Sequence, residues 1–162
     1  MNSQQEILLS DVIGSFKNVS LFANLIREFP DIEQRISDPN LKTTLLAPHN
    51  TAIESMNLKT WERQEDYDSH GLNAYSGEEG RTRAKENNRK FLLSHIVTEF
   101  PWTHRTQTVT LGGQEICWVD FGEAKMILPQ KVYITSTLKR VRNGDLLLIS
   151  AALQNEEPRA TM

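Results

Sequence analysis

The stretch Thr43–Ile53 reads TTLLAPHNTAI and is the most informative part of the chain. It begins with β-branched and apolar residues, reaches Ala47-Pro48, and passes through two polar residues into a helical pattern. Proline has no backbone N–H to offer a sheet, so the pattern predicts a buried strand that ends at Pro48 and turns into a helix. Asn50 stands where an N-cap is expected, because its side-chain oxygen can accept a hydrogen bond from the first helical turn.

Two later segments combine turn signals with apolar runs in the same way. Phe91–Val97 reads FLLSHIV and places His95 in an apolar run at the end of a predicted helix. Arg142–Leu153 reads RNGDLLLISAAL, and its Asn143-Gly144 pair is a turn signal in front of a predicted strand.

In this order and with these gaps, the three segments resemble the signature boxes of fasciclin I domains. The matching residues are Thr44, Leu46, Ala47, Pro48, Asn50 and Ala52 in the first box, His95 in the histidine element, and Asn143, Gly144, Leu146, Ile149 and Leu153 in the closing box. The resemblance covers roughly residues 7–155. The Pro101-Trp102 pair is more similar to fungal members of the family than to animal ones.

The resemblance implies a single α+β domain over residues 1–162, with a wedge of mostly antiparallel strands flanked by several helices. It also implies that His95 belongs to a packed, hydrogen-bonded interior. Family members are implicated in cell adhesion, matrix assembly and, in fungi, cell-surface and vacuolar roles. Integrin contacts are not expected, because Ser94 replaces a Tyr and Val141-Arg142 replaces an Asp-Ile pair of animal members.

Composition is that of an ordinary globular chain of 162 residues with a net charge of −3. The negative charge argues against nonspecific nucleic-acid binding. No apolar run approaches the roughly 20 residues that span a bilayer. From the resemblance to fasciclin I domains we expect entry into the secretory pathway, to the cell surface or the vacuole, with the targeting signal absent from this sequence. The triplet Asn18-Val19-Ser20 is a glycosylation sequon, which makes Asn18 a candidate modification site.

Helical periodicity dominates the first third of the chain. Apolar residues at helical spacing predict one helix before Phe16 and a second that is capped by Ser20 and ended by Pro30. Asp31 is expected to cap a short third helix.

Residues 57–81 are acidic and glycine-containing, with three interleaved aromatic residues, and predict an inserted loop. A helix is expected from about Thr82 to Ile96, with a basic cluster at its start. Because cations oppose the macrodipole there, the acidic loop is expected to fold back over them, as a solvated surface or as a lid.

From Thr106 onward the period of the sequence changes to two. Gly112-Gly113 and Phe121-Gly122-Glu123 are hairpin signals between alternating runs. Further strands are predicted over residues 125–128, 131–135 and 146–149. Helices followed by a β-meander make an α+β domain, which agrees with the resemblance.

No pattern in the sequence indicates catalysis. His95 has no other histidine three or four residues away, the serines lack a G-x-S-x-G context, and there is no phosphate-binding glycine loop. We therefore expect no catalytic residue, metal site or cofactor. A hydrolase that uses His49 or His95 is the remote alternative.

Basic residues form two groups that one surface patch would unite: Arg81, Arg83, Lys85, Lys139, Arg140 and Arg142. Acidic glycans, phosphoinositide headgroups or an acidic protein segment are the ligands such a patch would take, which allows peripheral membrane association. The alternative is that these cations are scattered over the surface and solvated.

The function that fits best is a noncatalytic, monomeric module for adhesion or protein interaction. A receptor for a small ligand, a glycan or a lipid headgroup, with the 57–81 segment as its lid, is the alternative.

Overall fold

The computed structural model describes residues 6–153, which form an α+β domain built on one seven-stranded sheet. The strands are β1 Thr43–Pro48, β2 Ile96–Val97, β3 Thr108–Val109, β4 Glu115–Phe121, β5 Ala124–Leu128, β6 Val132–Val141 and β7 Gly144–Ile149. Their order across the sheet is β2-β1-β7-β6-β5-β4-β3. Every pairing between neighbouring strands is antiparallel except that of β1 with β7, so the predicted mostly antiparallel architecture is confirmed.

Six α-helices accompany the sheet in the described part of the chain. They are α1 Leu9–Val12, α2 Ser20–Ile26, α3 Pro30–Ile36, α4 Asn50–Glu54, α5 Gln64–His70 and α6 Gly77–Leu93. Short 3₁₀ turns follow α1, precede α2 and follow α5, over Ile13–Ser15, Lys17–Val19 and Gly71–Asn73.

The predicted helix caps in the first third of the chain are wrong in detail. Ser20 is the first residue of α2 and makes no capping bond, because the 3₁₀ turn before it already leads into the helix. Pro30 begins α3 where it was expected to end α2. A proline is tolerated at the first helical position, where the N–H would have no partner. Asp31 follows within the first turn of α3, so it is not the cap.

The inserted acidic loop predicted over residues 57–81 is largely helical. It contains α5 and the 3₁₀ turn, and α6 begins at Gly77 where Thr82 was expected. Glu78 and Glu79 occupy the first turn of α6, where negative charge is favourable. The basic residues lie farther along the helix, so the conflict expected between them and the helix dipole does not arise.

The sheet separates two hydrophobic clusters. Leu45 and Ala47 of β1 face one cluster, which packs beneath the helices, while Leu46 between them faces the other. Since both faces of β1 and β7 are covered, these strands are apolar at consecutive positions. The second cluster is closed by β4, β5, β6 and Trp102.

Both predicted hairpins lie where the turn signals indicated, with Gly113 and Gly122 at positive φ. The strand expected over residues 131–135 is longer, because β6 continues to Val141 as a partner of β7. Its second half is polar and lacks an apolar alternation, so the sequence signal ended too early.

Candidate functional site

Asn143 lies at the junction of three elements. Its side chain is fully buried; Oδ1 accepts from the Leu9 N–H at 2.8 Å, and Nδ2 donates to the Ile36 carbonyl oxygen at 2.8 Å. Its backbone oxygen accepts from the Thr43 N–H at 2.9 Å. The side-chain amide and the backbone carbonyl of this one residue therefore tie α1, the end of α3 and the start of β1 to the turn before β7.

Gly144 permits a close approach of β7 to β1. A Cβ built on Gly144 would lie 1.7 Å from the carbonyl oxygen of Thr43, and its φ is not in the left-handed region. The glycine is therefore required by space and not by a turn conformation. The Asn-Gly pair acts as a joint between β1 and β7, where the sequence indicated only a turn.

His95 is a fully buried strut. Its Nδ1 donates to the Phe91 carbonyl oxygen at 2.7 Å, while Nε2 accepts from the Leu153 N–H at 2.8 Å, a pair of roles that only the neutral ring can fill. The rings of Phe22 and Phe91 lie 5.9 Å and 4.4 Å away. Burial lowers the pKa of His95 from 6.5 to about 4, so the ring stays neutral at physiological pH.

The first signature box lies on β1, between β2 and β7 in the sheet. The hydroxyl of Thr44 donates to the Glu99 carbonyl oxygen at 2.6 Å, and Ala47 is fully buried. Pro48 is the last residue of β1 and pairs in register with Ile149. These residues hold the scaffold together and present no reactive group to solvent.

The N-cap predicted at Asn50 is wrong. His49 caps α4, since its Nδ1 accepts from the Thr51 N–H at 3.1 Å. Asn50 is the first helical residue and reaches back to the segment before α2, donating to the Lys17 carbonyl and accepting from the Leu21 N–H. The sequence could not distinguish the two because both residues can cap, and a long-range bond decided between them.

The predicted basic patch is divided between α6 and the end of β6. On α6, Arg83 donates to the Ala74 carbonyl oxygen and Lys85 lies 6.0 Å from the centre of the Phe29 ring. Arg81 is exposed on the same helix.

The β6 group has partners of its own. Arg140 makes two hydrogen bonds to Asp145, at 2.7 and 2.8 Å, and Arg142 pairs with Glu6. Lys139 is exposed. The union of the two groups into one binding surface stays a prediction, as does modification of the half-buried Asn18, which lies in the 3₁₀ turn before α2.

A polar network that sequence reasoning missed fastens α5 to α6. The Tyr75 hydroxyl donates to Asp66 at 2.7 Å and accepts from the Arg63 N–H at 2.8 Å, while Asn87 of α6 donates to the same Asp66 carboxylate at 2.8 Å. Burial raises the pKa of Tyr75 to about 12, with the Asp66 carboxylate adding to the shift. Burial also acts to raise the pKa of Asp66, but the bonds from Asn87 and Tyr75 outweigh it and hold that pKa below its usual value.

Aromatic contacts add to this polar network between α5 and α6. The rings of Trp61 and Tyr67 both meet Tyr75 edge to face, at 5.1 and 5.4 Å. Leu72 lies in the 3₁₀ turn that follows α5, and its side chain is 98% exposed. The three interleaved aromatic residues were the sequence signal for this cluster, although their spacing fits neither helix nor strand.

A groove lies away from the 57–81 segment. It measures about 460 Å³ and is lined by Glu123–Lys125, Tyr133–Thr137 and Ser150. None of these residues belongs to the 57–81 segment, so the segment does not cover this groove. Within residues 6–153 no three His, Cys, Asp or Glu side chains are grouped to hold a metal ion, and no helix has the length and apolarity to cross a membrane.

Comparison with solved structures matches this arrangement to a FAS1 domain pair from the insect cell adhesion molecule fasciclin I. The TM-score is 0.61 at 10% identity, over 92% of this chain and 51% of that one, which establishes the fold. A FAS1 domain-containing protein of Aspergillus fumigatus is 37% identical over 153 residues, and one of Emericella nidulans is 34% identical over 152. The chain belongs to the FAS1 domain family.

The match to these FAS1 relatives covers 94% and 93% of this chain but 65% and 63% of theirs. A FAS1 domain-containing protein of Neurospora crassa is 37% identical over 144 residues, with 63% of its length covered. The chain thus spans less than two thirds of the length of these fungal relatives. No protein-family model matches the chain.

Proposed function

We propose that this FAS1 domain is a noncatalytic interaction module of the fasciclin type, which recognises a protein partner through the helical segment 57–76. The observation that carries the proposal is Leu72, a large apolar side chain that is 98% exposed. Burying such a side chain in a partner's pocket contributes about 1.5–3 kcal/mol, which is what a central interface anchor supplies.

Rigid mounting makes an exposed leucine useful for recognition. The Tyr75–Asp66–Asn87 network holds the segment against α6, so less conformational entropy is lost when a partner binds. Trp61, whose ring packs against Tyr75, is 37% exposed and supplies a second apolar contact for the partner.

His95 supports a noncatalytic role. Both of its ring nitrogens are committed to backbone partners, and the ring lies out of reach of solvent. A general base needs a free nitrogen within hydrogen-bonding distance of a substrate proton.

Attachment of coated beads to walled cells of the source organism tests the proposal. Beads carrying the full chain are compared with beads carrying Leu72→Ser and with beads carrying Leu41→Ser, a matched control at another surface where the leucine is 39% exposed. We expect Leu72→Ser to weaken attachment at least about tenfold, which corresponds to about 1.4 kcal/mol, and Leu41→Ser to leave it unchanged.

Equal attachment by all three proteins would remove the role of Leu72. Attachment no stronger than that of albumin-coated beads would contradict adhesion altogether. Turnover of an ester or glycoside substrate that disappears in His49→Ala would overturn the noncatalytic role.

We also propose that the domain works in the secretory pathway or beyond it. The sequon at Asn18 supports this, and its side chain is half-buried, so a glycan would be attached before folding is complete. Intact mass of protein from its native source should show a glycan that Asn18→Gln removes. An unmodified Asn18 on a cytosolic protein would refute the proposal.

A further inference from the structure

Strand β6 has a free edge in its second half. It pairs with β5 only through Val132–Ile134, whereas its pairing with β7 runs on to Val141. From Thr135 to Arg140 the strand therefore has a neighbour on one side only. This edge lies inside the seven-stranded order and is not apparent from the order of the strands.

The backbone of this edge is available to a ligand. Among the described residues, no backbone hydrogen bond outside the β6–β7 ladder involves residues 135–140. In an antiparallel strand the N–H and C=O groups alternate between the two sides, so about half of those in the segment point away from β7. The side chains of Thr135, Ser136 and Thr137 are exposed as well.

A groove runs beside the edge. It is lined by Tyr133–Thr137 and Ser150 and by Glu123–Lys125 of the β4–β5 hairpin. The β4–β5 turn lies just before β5 begins at Ala124, so β5 offers no partner beyond Ile134, and a space of about 460 Å³ lies next to unpaired backbone groups. A single extended chain uses such a space by adding a strand.

Charge selects the occupant. Lys139 and Arg140 are exposed at the far end of the edge, and Arg142 follows in the turn. Arg140 is already paired with Asp145, and in the groove the charges of Lys125 and Glu123 offset each other, which leaves Lys139 as the exposed cation of the edge without a described ion pair. An acidic side chain at that end would be attracted, whereas a basic one would be repelled.

The same features discourage a second sheet from pairing here. Two register shifts, between Ile134 and Ser136 and between Thr137 and Lys139, bend the edge, and lysine on an edge strand opposes strand-to-strand self-association. A flexible peptide can follow a bulged edge that another rigid sheet cannot match.

We propose that the β6 edge at Thr135–Arg140 binds an extended, acidic segment of a partner protein by β-strand addition. Backbone hydrogen bonds supply the affinity, and Lys139 sets the direction of the peptide by meeting its acidic end. The surface is separate from the Leu72 segment, so it adds a second contact to the function proposed above.

Selection of random linear decapeptides displayed on phage against the full chain tests this proposal. Enriched peptides are synthesised and titrated against the wild type, Lys139→Glu and Lys90→Glu, the last being an exposed lysine of α6 that serves as a matched control. Amide hydrogen exchange locates the site. Versions of each peptide that are N-methylated at alternate residues report whether its backbone N–H groups are used.

The expected result is a set of acidic peptides that slow exchange only within residues 135–140 and bind Lys139→Glu at least about tenfold more weakly. N-methylation on one edge of the peptide abolishes binding, while Lys90→Glu and Leu72→Ser leave it unchanged. Bead attachment and peptide binding are separate measurements: absence of peptide binding while Leu72→Ser still weakens attachment would refute this proposal alone, and peptide binding with no effect of Leu72→Ser on attachment would refute the role of Leu72 alone.

Three results would overturn the proposal: no enriched peptide, protection outside residues 135–140, or binding that N-methylation does not affect. Dimerisation of the free chain in sedimentation, lost on Lys139→Glu, would instead identify a second copy as the occupant.

Discussion

Two polar networks in this domain do similar work in different surroundings. Around Asn143, the side-chain amide joins α1 to α3 and the backbone carbonyl bonds to β1, in an interior from which water is excluded. Around Tyr75, a hydroxyl, a carboxylate and the buried amide of Asn87 join α5 to α6, and here the side chains of Tyr75 and Asp66 are partly exposed. In the network around Asn143, a group that loses its partner stays unpaired, whereas in the network around Tyr75 water can replace the lost partner. The interior network is therefore the more sensitive to substitution.

The strongest test of the interior joint is Gly144→Ala. The added Cβ would overlap the Thr43 carbonyl oxygen, which is backbone and cannot rotate away, so β1 and β7 must separate. We expect a loss of more than about 4 kcal/mol in the free energy of unfolding, or no folded protein. Denaturant titration measures it.

Gly14→Ala is the control for this substitution, because its Cβ would meet only the flexible end of Arg27. Similar stability of the two variants would show that the strands are not as tightly joined as the structure indicates.

Asn143→Ala is expected to have the next largest effect. It leaves the Leu9 N–H and the Ile36 carbonyl buried without their partner, at about 1–3 kcal/mol for each group. A loss of about 4 kcal/mol in denaturant titration is the expected sum. A loss below about 1 kcal/mol would mean that water enters the joint, and the contrast between the two networks would disappear.

The pH dependence of stability tests the burial of His95. Its pKa is lowered from 6.5 to about 4 on folding, so between these values the unfolded chain binds the proton more strongly. The stabilising contribution is complete above pH 6.5 and is lost as the pH falls towards 4. A shift of this size corresponds to about 3 kcal/mol.

Unfolding titrations between pH 7 and pH 4 should show this loss, and His95→Gln should be less stable at pH 7 but flatter across the range. His70, which is exposed, provides the control as His70→Gln. An identical pH profile for the wild type and His95→Gln would contradict the role of the buried ring.

The smallest effect is expected in the partly exposed network. Tyr75→Phe removes the hydroxyl that bonds to Asp66 and Arg63 but keeps the ring contacts with Trp61 and Tyr67. Thermal unfolding should report a loss of about 1 kcal/mol, and Tyr133→Phe, at an exposed position, should report almost none. A loss as large as that of Asn143→Ala would refute the comparison.

Features that depend on residues close together in the sequence could be predicted, and features that depend on distant residues could not. The strand ending at Pro48, the hairpins at Gly113 and Gly122 and the helical first third follow from local rules, because proline, glycine and periodicity act within a few residues. Local rules also indicated Asn50 as a cap, and there they failed. His49 could cap equally well, and the contact of Asn50 with Lys17 and Leu21 decided between them.

The prediction of a loop over residues 57–81 was wrong for a related reason. Acidic residues and glycines are typical of loops, but this stretch becomes helical because α6 offers Asn87 and a place for Tyr75. Gly80 is needed where its neighbour Tyr75 approaches, since a Cβ there would lie 2.1 Å from the Tyr75 carbonyl carbon. No pattern within the segment announces a partner that lies elsewhere in the chain.

By itself, the amino-acid sequence determined the fold class and the FAS1 family. The boxes around Pro48, His95 and Gly144 encode turns and buried apolar segments, which can be recognised from residues that are neighbours in the sequence. Tertiary structure alone decided what those residues do. Asn143 and Gly144 became a joint, His95 became a neutral strut, and the far half of β6 became an edge. Each outcome depends on a residue distant along the chain being brought within hydrogen-bonding or van der Waals distance, which only the folded state does.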